Sequence, residues 1–119
     1  MFQKLGNINE KLQPIVRVEL STGASFECLL DTGFQGTLVI PRKFAQENFL
    51  TITGSEAFLG AENHHIEFDT AIADIKWLGD EFSVPVLISE STEALIGVEM
   101  LIDSLLEIDY KNLTVKITK

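Results

Sequence analysis

Three consecutive residues carry types that could do chemistry: Asp31, Thr32 and Gly33. Asp31 supplies a carboxylate. Gly33 has no Cβ, so the backbone can turn sharply there and its N–H can approach that carboxylate. Thr32 is β-branched and stiff, with a hydroxyl able to hydrogen-bond across a symmetric contact. Alone, the triplet marks only a turn, since all three residue types favour turns. Its possible chemistry is the activation of water, which needs a base on one side and an acid on the other. Two carboxyls about 3 Å apart supply both, because they cannot both ionise and so retain a shared proton. The ionised one is the general base and the neutral one the general acid. Their apparent pKa values would belong to the pair. The chain holds one such triplet. Asp69-Thr70-Ala71 and Asp103-Ser104-Leu105 both lack the glycine. The second carboxyl must then come from another copy, across a two-fold axis, the commonest oligomer symmetry.

Other chemistry-bearing residues fall away. His64 and His65, with Glu62, Glu67 and Asp69 nearby, are adjacent on an extended pattern and point to opposite faces, so they cannot share one metal ion. The usual zinc spacings are missing. Neither histidine has a G-x-S-x-G partner, which disfavours a serine hydrolase. No glycine loop suited to phosphate is present. Cys28 is the only cysteine and sits in an apolar strand pattern, which predicts a buried, inert thiol and no intrachain disulfide. No metal and no cofactor is expected.

The elements that must position Asp31 follow from alternation. Val16, Val18 and Leu20 share one strand face, with Arg17 and Glu19 on the other. Ser21-Thr22-Gly23 turns, and residues 24–30 return as a strand with Phe26, Cys28 and Leu30 on one face. Residues 31–36 are loop, 37–40 a short apolar strand, and Pro41 opens a short helix over 42–48. Residues 66–77 alternate, with Ile66, Phe68, Thr70 and Ile72 on one side, and read as a long strand paired with what precedes it. Gly79-Asp80 turns into a strand over 82–88. A short helix is predicted from Val98 to Asp103, its start charged by Glu99. Residues 106–110 and 113–117 form a last hairpin. Trp77, Phe68 and Phe82 are expected in the core or on a sheet face. Many short strands with two short helices predict one closed, mainly β domain over residues 1–119.

The run Asp31-Thr32-Gly33-Phe34-Gln35-Gly36-Thr37-Leu38-Val39-Ile40-Pro41 resembles the D-T-G-F-x-G-x-L-x-x-P pattern of small bacterial retropepsin-like aspartic proteases. Leu95-Ile96-Gly97-Val98-Glu99-Met100-Leu101 is similar to a second segment of that group. The resemblance spans residues 15–117. It implies a single-lobe, closed β barrel and a homodimer in which Asp31, Thr32 and Gly33 of each copy form the catalytic centre. Thr32 would brace the partner loop, and Leu95, Ile96 and Gly97 would pack beneath the aspartate loop. Chain-end strands would add to the interface, with 113–119 the better candidate and 1–8 the weaker. A flap over substrate would run from Phe58 to Ile66, bringing Phe58, Gly60 and Ala61 to the cleft along with Phe34. Phe34 departs from the alanine of retroviral members and the serine or threonine of pepsins, and Gly60 is the only glycine of the flap candidate. The implied activity is endopeptidase cleavage of a peptide or protein substrate. The alternative is a catalytically weak or inactive dimerisation or peptide-binding module on the same scaffold.

The bulk numbers agree. With 119 residues and 45% hydrophobic content, the chain suits one domain with a real core. Its net charge of −9 opposes a nucleic-acid surface and adhesion to anionic membrane. No residue run reaches bilayer length, and Met1 to Asn7 lacks the apolar segment of a signal peptide. A cytoplasmic location is the resulting expectation.

Overall fold

The computed structural model describes residues 1–119, the side chain of Ala61 excepted. Ten strands form one sheet, with the order β5-β6-β7-β4-β8-β3-β2-β1-β10-β9. Strands β2 (Pro14–Leu20) and β3 (Ser25–Leu30) make the first hairpin. Val16 faces Cys28 and Val18 faces Phe26 across it, and all four are buried. Gly23 supplies the left-handed turn residue, at φ 99°. After the Asp31 loop, β4 (Leu38–Pro41) leads directly into helix α1 (Arg42–Glu47), and Pro41 sits at its N-cap. Strands β5 (Ile52–Leu59), β6 (His65–Trp77) and β7 (Asp80–Ser89) follow as an antiparallel meander.

The short β8 (Ala94–Ile96) inserts between β3, to which it is parallel, and β4, to which it is antiparallel. At the far end, β6 pairs with β2 through Glu19–Lys76 and Leu20–Ile75. That contact bends the sheet into a ring sealed at one short seam. Inside it lie Val18, Ile40, Ile75 and Ile96, each fully buried and each contributing about 1.5–3 kcal/mol by leaving water. Burial pushes the Cys28 thiol up to about 12, so it stays neutral and unreactive. Trp77 is buried and donates its indole N–H to the Met100 carbonyl at 3.0 Å. Among the described residues, no helix is long and apolar enough to cross a membrane.

Several details differ from the alignment of residue types along the chain. The buried face of β6 is Ala71, Ala73, Ile75 and Trp77, while Ile66 and Ile72 on the opposite face remain exposed. The segment after Gly97 is a single 3-10 turn, Val98–Leu101, followed by Asp103 at φ 60°, rather than a longer helix. Residues 1–8 contain a true strand, β1 (Gln3–Ile8), although only Ile8 of its inward set is apolar and buried. Strand β10 (Thr114–Thr118) is hydrogen-bonded to β1 on one side and to β9 (Leu105–Asp109) on the other. Phe2 and Lys119 also exchange backbone hydrogen bonds, at 3.1 and 2.9 Å. Both edges of 113–119, the better candidate for an interface strand, are paired within the chain, so β10 has no open edge to offer a second copy.

Candidate active site

Strand β3 delivers Asp31 to the end of the sheet, where β8 fixes it. Ile96 lies opposite Leu30 on one side and Leu38 on the other, and the Asp31 N–H donates to the Ile96 carbonyl at 3.0 Å. The loop 31–37 then arches over Gly97. Gly97 N–H donates to Thr37 O at 2.8 Å, Val98 N–H to Phe34 O at 3.0 Å, and Glu99 N–H to Gly36 O at 3.2 Å. A Cβ on Gly97 would collide with the Gly36 carbonyl oxygen and lie 2.7 Å from that of Phe34. The segment Leu95-Ile96-Gly97 thus lies directly beneath the loop, and Gly97 is the residue that permits the approach.

Within the loop, Gly33 N–H donates to Asp31 Oδ1 at 2.9 Å, and Phe34 N–H donates to the Asp31 carbonyl at 3.1 Å. The Asp31 side chain is therefore oriented by its own turn. Asp31 is half-buried, and Thr32 and Gly33 are exposed at the crest. The Thr32 hydroxyl makes no hydrogen bond with any described residue of the chain. The two aspartates of the imperfect triplets serve elsewhere. Asp69 is bound by Arg42 at 2.7 Å, and Asp103 follows the 3-10 turn.

Phe34 folds down into the loop. Its ring would lie 2.5 Å from a Cβ on Gly36 and 2.6 Å from one on Gly97, so two glycines make the room it fills. One edge of the ring still borders a groove of about 610 Å³ between the loop and the β5–β6 hairpin. Gly33, Phe34 and Phe58 all line that groove, as do Glu56, Leu87 and Glu99.

The candidate flap, residues 58–66, forms the end of the β5–β6 hairpin, whose Glu56 and Phe58 line the groove. Every residue of β5 is exposed. The Phe58 and Phe68 rings meet edge to face at 5.7 Å and stiffen its arms. At the tip, Gly60 N–H donates to His64 O at 2.7 Å, and a Cβ on Gly60 would press on Ile66 at 2.9 Å. The left-handed tip residues are Glu62 and Asn63, at φ 58° and 62°, not glycine. Gly60 stands at the tip and does not line the groove; the side chain of Ala61, the other expected flap contact, lies outside the described residues. His64 and His65 are exposed there, and among the described residues no group of three or more His, Cys, Asp or Glu is placed to hold a metal ion.

The hairpin is anchored at its root by Arg42. Its Nε donates to Glu90 at 2.6 Å and its NH2 to Asp69 of β6 at 2.7 Å. These carboxylates, Glu90 foremost, hold the guanidinium pKa above its ordinary value. A second depression of about 640 Å³ lies on that side, beside Phe26, Phe44 and Arg42. It touches no residue of the Asp31 loop, and its main cation is already paired, so the groove at Gly33 is the better candidate for chemistry. Sequence reasoning did not place Glu56, Leu87 or Arg42 at the site. Glu56 and Phe58 share the parity of one strand face, which is a readable signal, whereas Leu87 arrives only through the pairing of Thr70 with Leu87.

No protein-family model and no curated protein matches the chain. Solved structures do. The retropepsin-like aspartic protease of Rickettsia conorii superposes with a TM-score of 0.69 at 14% identity, over 97% of this chain and 89% of that one. This chain has the retropepsin-like fold. The protease of EIAV, complexed with the inhibitor HBY-793, superposes at 0.64 with 20% identity, over 80% of this chain and 90% of that one. The simian foamy virus (mac) protease superposes at 0.55 with 15% identity, over 73% and 90%. In the retropepsin-like frame of this chain, the glycine-bearing loop and the β8 segment beneath it are built from residues far apart in sequence.

Proposed function

We propose that two copies of this chain form an aspartic endopeptidase, with Asp31 of each copy as the acid and base. The observation that carries this reading is the Asp31 loop itself: a carboxylate oriented by Gly33 N–H, held from beneath at Gly97, and set beside a groove under a hairpin. A two-fold axis through the loop crest would bring two such carboxyls to about 3 Å, where they share one proton. The ionised one takes a proton from water as the water attacks the peptide carbonyl carbon. The neutral one protonates the carbonyl oxygen to give a tetrahedral gem-diol. As the C–N bond breaks, the first carboxyl passes the proton it took from water to the leaving amine and the second takes back a hydroxyl proton, which restores the singly protonated pair. Phe34 and Phe58 would meet the side chains flanking the scissile bond, and Thr32 would meet its twin across the axis.

The test is Asp31→Asn. Cleavage of a fluorogenic peptide should fall by about a thousandfold or more, while sedimentation still shows a folded dimer. Hydrolysis retained in that variant would refute the reading. Mixing gives a second readout: with equal amounts of native and Asp31→Asn chain allowed to exchange, only about a quarter of random dimers hold two native chains. Activity should follow that fraction. Activity that follows the half of chains that are native would mean that each chain works alone.

A further inference from the structure

The groove beside Gly33 mixes apolar residues with the neutral polar Gln35, Thr37 and Thr70, and the two charged residues that line it are both acidic. Glu56 projects from the hairpin strand β5, and Glu99 rises from the floor, where its backbone N–H is bonded to Gly36. They stand on different walls, with Phe34, Phe58, Pro85 and Leu87 between and around them. Among the described residues, no lysine, arginine or histidine lines the groove. Neither carboxylate has a hydrogen-bond or ion-pair partner among the described residues, although six ion pairs form elsewhere. Acidic groups on a solvated face are usually inert. Here both border a groove that also presents Phe34, Phe58, Pro85 and Leu87, so a side chain seated in it meets apolar surface and negative charge together.

We infer that the groove selects substrates bearing a lysine or arginine side chain close to the cut. The inference rests on the endopeptidase reading and gives it a substrate class. The aliphatic stem of such a side chain packs on Phe58 and Leu87, as long cationic side chains do on apolar surfaces. Its charged end is then shared between Glu56 and Glu99, and the Phe58 ring adds a cation–π contact. An acidic side chain in the same place meets two like charges and a chain of net charge −9. Selection therefore comes from attraction to one class and repulsion of the other.

The experiment compares fluorogenic peptides identical but for Lys, Leu or Glu at each position near the cut. At low salt, kcat/KM for the best Lys peptide should exceed that for its Glu counterpart by roughly tenfold, the yield of two partly exposed charge contacts. The ratio should shrink in about 0.5 M sodium chloride. Glu56→Gln with Glu99→Gln should bring it close to one, and Glu56→Lys should turn it towards the Glu peptide. Cleavage with no charge preference, or a preference that survives both substitutions, overturns the inference and leaves the endopeptidase reading intact. If no peptide is cut, fluorescence anisotropy of the same labelled peptides decides it. Tighter binding of the Lys peptide, lost on the double substitution, upholds the groove's selectivity without catalysis; equal binding of Lys and Glu peptides overturns it.

Discussion

At the residue scale, the site depends on where side chains are missing. A Cβ on Gly33 would press on Asp31 Oδ1 at 3.2 Å, Gly36 makes room for the Phe34 ring, and Gly97 lets the loop descend onto β8. Gly97→Ala places a methyl group against two backbone carbonyls that cannot swing aside, so the loop must lift. It should cost about 1–3 kcal/mol, as overpacking in a tight site does, and kcat/KM should fall further than the fraction unfolded explains. Gly54→Ala is the control for stability, since its Cβ would meet only the Thr70 hydroxyl at an ordinary 3.5 Å. Equal melting temperatures for Gly97→Ala and the native chain would remove Gly97 from this role. The triplet and the glycine after Leu95-Ile96 were legible because each needs a residue type few others can replace. The course of Phe34 was not, because the space it fills is made by Gly36 and Gly97 together, and only the fold brings those two to one place.

At the element scale, legibility tracked how many inward residues are apolar. Strands β2 and β3 and the last hairpin alternate cleanly, and each appears where alternation puts it. Strand β6 was legible as a strand but not by face, because its core side uses two alanines while its larger Ile66, Phe68 and Ile72 lie towards the groove or solvent. Strand β1 fails the pattern for a different reason. Its middle inward position is Gly6, where a Cβ would collide with the Ile15 carbonyl, so close crossing replaces side-chain packing. This strand is structural. It pairs with β10 over five residues and with β2 at Asn7 and Ile8, and Ile8 is buried. Deleting residues 1–8 should therefore unfold the sheet edge and cost on the order of several kcal/mol. The check is chemical denaturation followed by circular dichroism. A truncated chain that keeps native stability and loses only its dimer would show that β1 belongs to the interface instead.

At the scale of the whole molecule, charge must be weighed against assembly. Two copies, each at −9, carry −18 together at neutral pH, and bringing them into contact costs self-repulsion. The proposed centre adds to it locally, since two ionised Asp31 carboxylates would face each other across the axis. Both terms oppose the dimer when carboxylates are charged, and both weaken as pH falls towards the isoelectric point near 4.5. The sign is then fixed: the dimer binds protons that the separated chains release, so acid favours association. Between about pH 7.5 and pH 5 the dissociation constant should fall by roughly tenfold or more, and salt at the higher pH should imitate part of that by screening. Sedimentation equilibrium at the two pH values, with and without salt, measures it. A pH dependence that vanishes entirely in high salt would assign the repulsion to screened surface charge and leave the paired Asp31 carboxyls out of the interface. A constant that moves with neither would mean that the copies meet away from their acidic faces, and the two half-sites would then have no route to a shared proton.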